Sequence, residues 1–427
     1  MSNLQRDLRR SESCGSLVPF DHVTDSVLVE VSGEDHPGVT AALMELITAA
    51  AAAVTDVEQI TIHGRLHLSM LIRLADSTGL RADPDHRDLL KELLLFGWEN
   101  DYKVHFDIVD QAPLAAERRL FAVTLLGQDL TAAQIGAAAA AIANAGGNIE
   151  RITCLARYPA TAYELSVSAT DVEPVRRQLI EASRTHFFDV AVQRDGLIRR
   201  AMRLVALDVD STLIQDEVVD LLAAEAGCES EVAAITASAM AGELDFAGAL
   251  YRRVELLAGL DEAAIERARA RLRLTPGART FVRTLQRLGF KIALVSGGFT
   301  TFTERLRAEL GVDHAFANEL EMLDGRLTGR LIGPIVDRDR KAVLLREVAD
   351  LERISLSQTV AVGDGANDLD MLAAAGLGIA FNAKPLVAAA ADAAVNLPYL
   401  DAILFVLGIR RGDVDEADAE VQSGNPW

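Results

Sequence analysis

The spacing of hydrophobic and polar positions changes several times along this chain, and the changes divide it. Between 22 and 196 one succession is written twice. The first copy opens on Val27-Leu28-Val29-Glu30-Val31 and runs into Ser32-Gly33-Glu34-Asp35. Next, Val39, Leu43, Leu46, Ile47 and Ala50 recur at helical spacing, and Val57-Glu58-Gln59-Ile60 follows. The second copy opens on the apolar run from Leu120 to Leu126 and reaches Gly127-Gln128-Asp129. It places Ile135, Ala138, Ala139 and Ile142 on one helical face before Ile149-Glu150-Arg151-Ile152. Each copy adds an alternating strand and a second helix, around 84–96 and 171–183. This order predicts two α+β sandwiches of the βαββαβ kind, over 22–112 and 117–196.

From about 200 the rhythm is that of an α/β protein. Apolar strand cores at 203–208, 290–296, 359–363 and 377–381 are separated by helical stretches. They predict a doubly wound, Rossmann-like α/β core over 200–410. The reading is wholly helical from 214 to 275, directly after the first strand, which predicts a helical cap over the strand ends. Alternation at 314–336 around Asp324-Gly325 predicts a hairpin. Residues 1–21 are polar and mixed in charge and predict a disordered start. Residues 411–427 predict a flexible acidic tail.

Composition narrows the chemistry. The 427 residues carry a net charge of −21, which argues against nucleic acid or an anionic membrane as partner, since both need basic patches. No apolar run reaches the ~18 residues of a membrane span. Cys14, Cys154 and Cys228 are scattered, suggest neither a metal site nor a disulfide framework, and fit a reducing cytoplasm.

Four segments carry candidate chemistry, each where a strand ends or a helix starts, the place where open α/β sheets bind ligands. Asp208-Val209-Asp210-Ser211-Thr212 follows the strand Leu204-Val205-Ala206-Leu207. One carboxylate there could attack an electrophile while the other moves a proton. Asp-x-Asp also occurs at 83–85, 337–339, 368–370 and 413–415, so the triplet alone says little. Ser296-Gly297-Gly298 follows Ile292-Ala293-Leu294-Val295 and suits either an anion or a plain turn. Lys341 opens an amphipathic helix with Val343, Leu344, Val348 and Leu351 apolar. Taken singly it reads as a solvated charge. Gly363-Asp364-Gly365-Ala366-Asn367-Asp368 offers hard oxygens for a metal, or merely a helix cap.

Taken together, these four segments resemble the motifs of the haloacid dehalogenase superfamily of aspartyl-phosphate phosphatases. The cap adds Glu217, Met240, Phe246 and Arg253, which read singly as surface charges and core. In this order they resemble the phosphoserine phosphatase family of that superfamily. The repeated sandwich resembles the ACT domain, a small-molecule sensor that usually binds amino acids. Gly33-Glu34-Asp35-His36-Pro37-Gly38 matches its Gly-x-Asp-x-x-Gly loop, and Ala132 replaces the last glycine in the second copy.

The resemblance implies Asp208 as nucleophile and Asp210 as general acid and base. It implies Mg2+ held by Asp208, Asp364 and the Asp210 carbonyl. Ser296, Gly297, Lys341 and Asn367 would contact the phosphoryl group, with Thr212 and Asp368 in support. Arg253 would clamp a carboxylate and Glu217 an ammonium, between apolar Met240 and Phe246. O-phospho-L-serine is the implied substrate and L-serine the product. L-serine is also the candidate regulator at Gly33, Asp35 and Gly38, with a homodimer formed through the ACT-like domains. Two rivals stay open: another small phosphomonoester as substrate, and a catalytically silent amino-acid sensor.

Overall fold

The structure, a computed structural model, describes residues 26–73, 84–109, 119–240 and 243–422. The expected disordered start and the last residues of the expected tail lie outside them. The chain divides into two units, residues 1–116 and 117–427.

The first unit runs β1 (Ser26–Glu34), α1 (Val39–Ala49), β2 (Ala53–Ile62), β3 (Arg65–Arg73), α2 (Pro84–Glu99) and β4 (Lys103–Val109). Its antiparallel sheet has the order β2-β3-β1-β4. Val27, Val29 and Val31 alternate into one face, where Leu43 and Ile47 of α1 and Leu89 and Leu93 of α2 cover them. Alternation of period two on the strands and 3.6 on the helices thus meets in one core.

The second unit repeats the order with β5 (Arg119–Gly127), α3 (Ala132–Asn144), β6 (Asn148–Ala156), β7 (Thr161–Ala169), α4 (Val172–His186) and β8 (Asp189–Arg194). A short helix, α5 (Leu197–Arg200), leads into β9 (Leu204–Leu207), whose four residues are all buried. The cap follows as α6 (Val218–Ala226), α7 (Glu229–Met240), α8 (Phe246–Glu255) and α9 (Glu262–Ala270). The α/β core resumes with α10 (Ala278–Arg287), β10 (Lys291–Phe299) and α11 (Thr300–Leu310). The predicted hairpin is β11 (His314–Leu323) and β12 (Arg326–Ile332). Then come α12 (Arg338–Glu352), β13 (Thr359–Gly363), α13 (Leu369–Ala374), β14 (Leu377–Phe381), α14 (Pro385–Ala390), β15 (Ala393–Val395), α15 (Ile403–Val406) and α16 (Arg411–Gln422).

The chain enters and leaves the cap through one narrow base. Ile214 bridges Leu274, and the Gln215 and Thr275 amides donate to the Arg273 and Leu213 carbonyls, each at 2.9 Å.

Two features depart from the sequence reading. The second βαββαβ module does not close on itself. Its edge strand β8 pairs with β15 through Ala191 and Ala393, which merges both parts into one eleven-stranded sheet. Its order is β12-β11-β10-β9-β13-β14-β15-β8-β5-β7-β6. Gln193, itself buried, donates to the Val406 carbonyl at 2.8 Å, and the Asn396 amide donates to Asp189 at 2.6 Å. The predicted flexible tail is also a helix over most of its length. In α16 Val414 is buried, and Asp418 pairs with Arg283 and Arg287. An acidic stretch orders here because α10 offers it arginines.

Candidate active site

The parallel strands β10, β9, β13 and β14 lie side by side and end at one edge of the sheet. Asp208 stands at the exit of β9, buried to 3% exposure, with its amide bonded to the Val362 carbonyl at 2.9 Å. The next residues leave the strand in a tight loop in which Ser211 has φ 57°. That turn sends Asp210 back over the sheet edge, where Ser296 donates to one of its oxygens at 2.9 Å and the Val218 amide to the other at 2.8 Å. Asp210 therefore ties the β10 exit to the first cap helix. Its carboxyl is raised above the usual range, chiefly by burial. A glycine is required at 298, because a Cβ there would lie 2.7 Å from an Asp210 oxygen.

Lys341 is not a surface charge. It has no exposed surface, and its Nζ donates to Asp208 Oδ1 at 2.6 Å and to Asp368 Oδ1 at 2.7 Å. Burial alone would lower its pKa, but the charges of Asp208 and Asp368 outweigh this and raise it. Two of its three donors are used, so one remains for a ligand. The face of α12 that carries it inward also buries Leu345 and Val348, while Val343 and Leu351 of the predicted apolar set are 37% and 68% exposed.

The oxygens of Asp208, Asp364 and Asp368 lie within 4.8 Å of one another. Burial, then the neighbouring carboxylates, raise Asp208 well above its ordinary value, and burial with Asp368 raises Asp364 to about 6. Such crowding is what a hard divalent cation relieves. The Asp210 side chain is not in this cluster, being held by Ser296 and Val218. Asp368 takes its place, yet both its oxygens are occupied, by Lys341 and by the Gly365 amide at 2.9 Å. Thr212 occupies Asp364 Oδ1 at 3.0 Å. Among the described residues, Asp208 and Asp364 thus each keep one oxygen without a hydrogen-bond donor, and Asp368 supports them from behind.

A cavity of about 690 Å3 opens over these groups. Asp208, Asp210, Asp364, Gly297 and Asn367 line it from the core, and Glu217, Phe246 and Arg253 from the cap. Glu217 stands at the start of α6, accepts from Ser211 at 2.8 Å, and keeps contact with water. Protein on its other sides, then Asp210, raise it to about 7. Burial lowers the Arg253 pKa, against the pull of Glu217 and Asp220. The Met240 side chain lies outside the described residues.

The sequence reading missed three residues here. Asn318 of β11 is buried; its amide donates to the Gly297 and Gly298 carbonyls at 2.8 and 3.2 Å, and its oxygen accepts from the Val336 amide at 2.8 Å. A polar residue at the end of Ala315-Phe316-Ala317 was the available signal. Asp220 and Lys384 also line the cavity; the position of Lys384 just beyond a strand exit was its signal.

Gly33, Asp35 and Gly38 form a loop of the first unit. A Cβ at Gly33 would lie 2.3 Å from the Tyr102 ring, so the close approach this glycine allows is to an aromatic side chain. Tyr102 also donates to the Glu34 carbonyl at 2.8 Å, and Thr61 donates to Asp35 at 3.0 Å. Gly38 has φ 96° and begins α1 without a side-chain cap. In the second copy Thr131 and Gln134 cap α3 themselves.

Comparison with known proteins gives the same division. A family profile of haloacid dehalogenase-like hydrolases matches 205–373, and two ACT domain profiles match 25–107 and 120–193. A phosphoserine phosphatase of Streptomyces coelicolor is 51% identical over 397 residues, covering 92% of this chain and 94% of that protein. One of Mycobacterium tuberculosis is 46% identical over 400 residues, covering 92% and 96%. Among solved structures, a haloacid dehalogenase family hydrolase from Salmonella enterica serovar Typhi superposes with a TM-score of 0.61 at 32% identity, covering 67% of this chain and 98% of that one. A probable phosphoserine phosphatase from Vibrio cholerae gives 0.54 at 35% identity, covering 67% and 86%.

Proposed function

This chain belongs to the phosphoserine phosphatase family, with a haloacid dehalogenase-like hydrolase domain behind two ACT domains, and from that premise we propose that it hydrolyses O-phospho-L-serine through a phosphorylated Asp208. The observation that carries the mechanism is the pairing of Asp208 Oδ1 with the buried Lys341 at 2.6 Å. It orients the carboxylate and leaves the other oxygen free to attack phosphorus. As that bond forms, the ester P–O bond breaks and the serine oxygen takes a proton from Asp210. Burial raises the Asp210 pKa, which favours the protonated form this step needs. Asp210 then removes a proton from the water that attacks the aspartyl-phosphate, which releases phosphate and regenerates Asp208.

The third Lys341 donor, the Gly297 amide and Asn367 would hold phosphoryl oxygens. Ser296 can join them only by releasing Asp210, since its single proton is used there. Arg253 would clamp the substrate carboxylate and Glu217 its ammonium, with Phe246 as an apolar wall. Asp208 Oδ1, which keeps a lone pair beside Lys341, the free oxygen of Asp364 and the Asp210 carbonyl would hold Mg2+, which when bound supplies positive charge to the transferring group.

The site acts in the last step of L-serine formation, and the ACT domains take L-serine near Asp35 and pair two chains as a homodimer. The described cysteines, Cys154 and Cys228, are free, which fits a cytoplasmic enzyme. Among the described residues no helix is long and apolar enough to cross a membrane.

Phosphate release from phosphoserine, with and without Mg2+, tests the reading. It should require the metal and disappear in Asp208→Asn, and fluoroberyllate should attach at Asp208. Preference for a different phosphomonoester would replace the substrate. A well-folded protein inert towards every phosphomonoester would leave only an amino-acid sensor.

A further inference from the structure

Three of the four neighbouring strand exits carry groups of the site: Ser296-Gly297 at the end of β10, Asp208 after β9 and Asp364 after β13. The fourth, β14, ends at Phe381 and delivers Asn382-Ala383-Lys384 to the same edge. This turn is held in place. The Asn382 amide donates to the Val395 carbonyl at 2.8 Å and its side chain to the Leu397 carbonyl at 3.1 Å. Pro385 then restricts Lys384 to an extended backbone, observed at φ −61° and ψ 150°. Lys384 is exposed, lines the same cavity as Asn367, and among the described residues has no ion-pair partner.

Its surroundings make the lone cation informative. Asp208, Asp210, Glu217, Asp220 and Asp364 line the same cavity, and the whole chain carries −21. A divalent ion on Asp208 and Asp364 would offset two of these carboxylates, and the proton that Asp210 gives to the leaving oxygen a third, which leaves Glu217 and Asp220. Lys341 has no exposed surface, and its charge is already shared between Asp208 and Asp368. Arg253 faces Glu217 and Asp220, both of which act on its charge. A phosphoester approaching from solvent therefore meets an Arg253 already matched by two carboxylates, and Lys384 as the uncommitted positive charge at the opening.

We propose that Lys384 captures the phosphate end of the substrate at the mouth and guides it to the nucleophile, taking no part in bond making or breaking. This rests on the reading of the cavity as a phosphomonoester site. A charge acting over several ångströms of water raises the rate of encounter and is screened by salt, whereas a group bonded to the transferring phosphoryl acts within the closed site and is screened far less.

The experiment compares Lys384→Gln and Lys384→Arg with the parent full-length enzyme, with Mg2+, on phosphoserine and on an aryl phosphate. At roughly 20 mM ionic strength, Lys384→Gln should lose about 3- to 10-fold in kcat/KM on both substrates, while kcat changes less than about twofold. The deficit should close near ~0.5 M salt, where the screening length falls to roughly 4 Å. Lys384→Arg should keep most of the parent value. Calorimetry of inorganic phosphate binding gives a second reading that needs no turnover, and Lys384→Gln should weaken it at low salt only. A loss of kcat equal to that of kcat/KM, or a deficit unchanged by salt, would overturn the proposal, as would parent-like behaviour of Lys384→Gln at low salt in both measurements. If the parent turned over neither substrate, the assigned activity would fail, while the phosphate titration would still decide the role of Lys384.

Discussion

Replacing Lys341 by Met tests the electrostatic centre of the site. The side chain has no exposed surface and holds Asp208 at 2.6 Å and Asp368 at 2.7 Å. Methionine fills much of the same space, so packing changes little, while two buried carboxylates lose their shared cation. Removing one partner of a buried ion pair typically costs about 3–5 kcal/mol. For a unit of this size that is roughly 6–15 °C in Tm. The sign with pH follows from the groups involved. Lys341 has a raised pKa, so its stabilisation is complete below the ordinary lysine value and is fully present at pH 8. Asp208 and Asp364 also have raised pKa values, so the contribution of each is complete below its unfolded value and is lost as pH rises through the folded one, about 6 for Asp364. Without Lys341 these carboxylates relieve their repulsion by taking protons. The deficit of Lys341→Met should be largest at pH 8 and should shrink towards pH 5.5. Mg2+ should reduce it further by supplying positive charge. The assay is urea unfolding of both proteins at the two pH values, with chelator and with Mg2+. A deficit equal at both pH values and indifferent to Mg2+ would mean that Lys341 contributes shape and not charge. Turnover should fall by ~10²–10³ in either case, since a donor to the transferring phosphoryl is gone.

Three further outcomes are expected. Arg253→Ala should cost about 1.5–3 kcal/mol in kcat/KM on phosphoserine and far less on an aryl phosphate that lacks the carboxylate, so equal losses would make Arg253 structural. Glu217 must be ionised to pair with an ammonium and is held at about 7. The ratio of parent to Glu217→Gln activity on phosphoserine should therefore rise with pH through that region, and a flat ratio would exclude the pairing. A chain starting at Arg199 loses the Gln193–Val406 and Asp189–Asn396 bonds and bares the edge of β15. It should be less stable by roughly 3–5 kcal/mol than a chain starting at Glu117, and equal urea midpoints would show that the junction contributes nothing.

The sequence by itself determined the elements and most of the site. The four chemical segments are each continuous; three follow an apolar run that reads as a buried strand and the fourth opens an amphipathic helix, so residue type, order and position at a strand exit or helix start were legible together. The turn at Asp324-Gly325, with φ 48° and 72°, was legible for the same reason, because a two-residue hairpin is local chemistry. Tertiary structure decided what depends on a distant partner. Lys341 reads as a surface lysine until Asp208, 133 residues away in sequence, folds against it. Asp368 reads as a metal ligand or a helix cap until Lys341 and the Gly365 amide take both its oxygens. The acidic stretch after Arg411 reads as a tail until α10 presents Arg283 and Arg287. The joining of two predicted domains into one sheet rests on Ala191 meeting Ala393, at the edge of a strand only three residues long. Hydrophobic periodicity reports which face of an element is buried, and carries nothing about which distant edge will complete it.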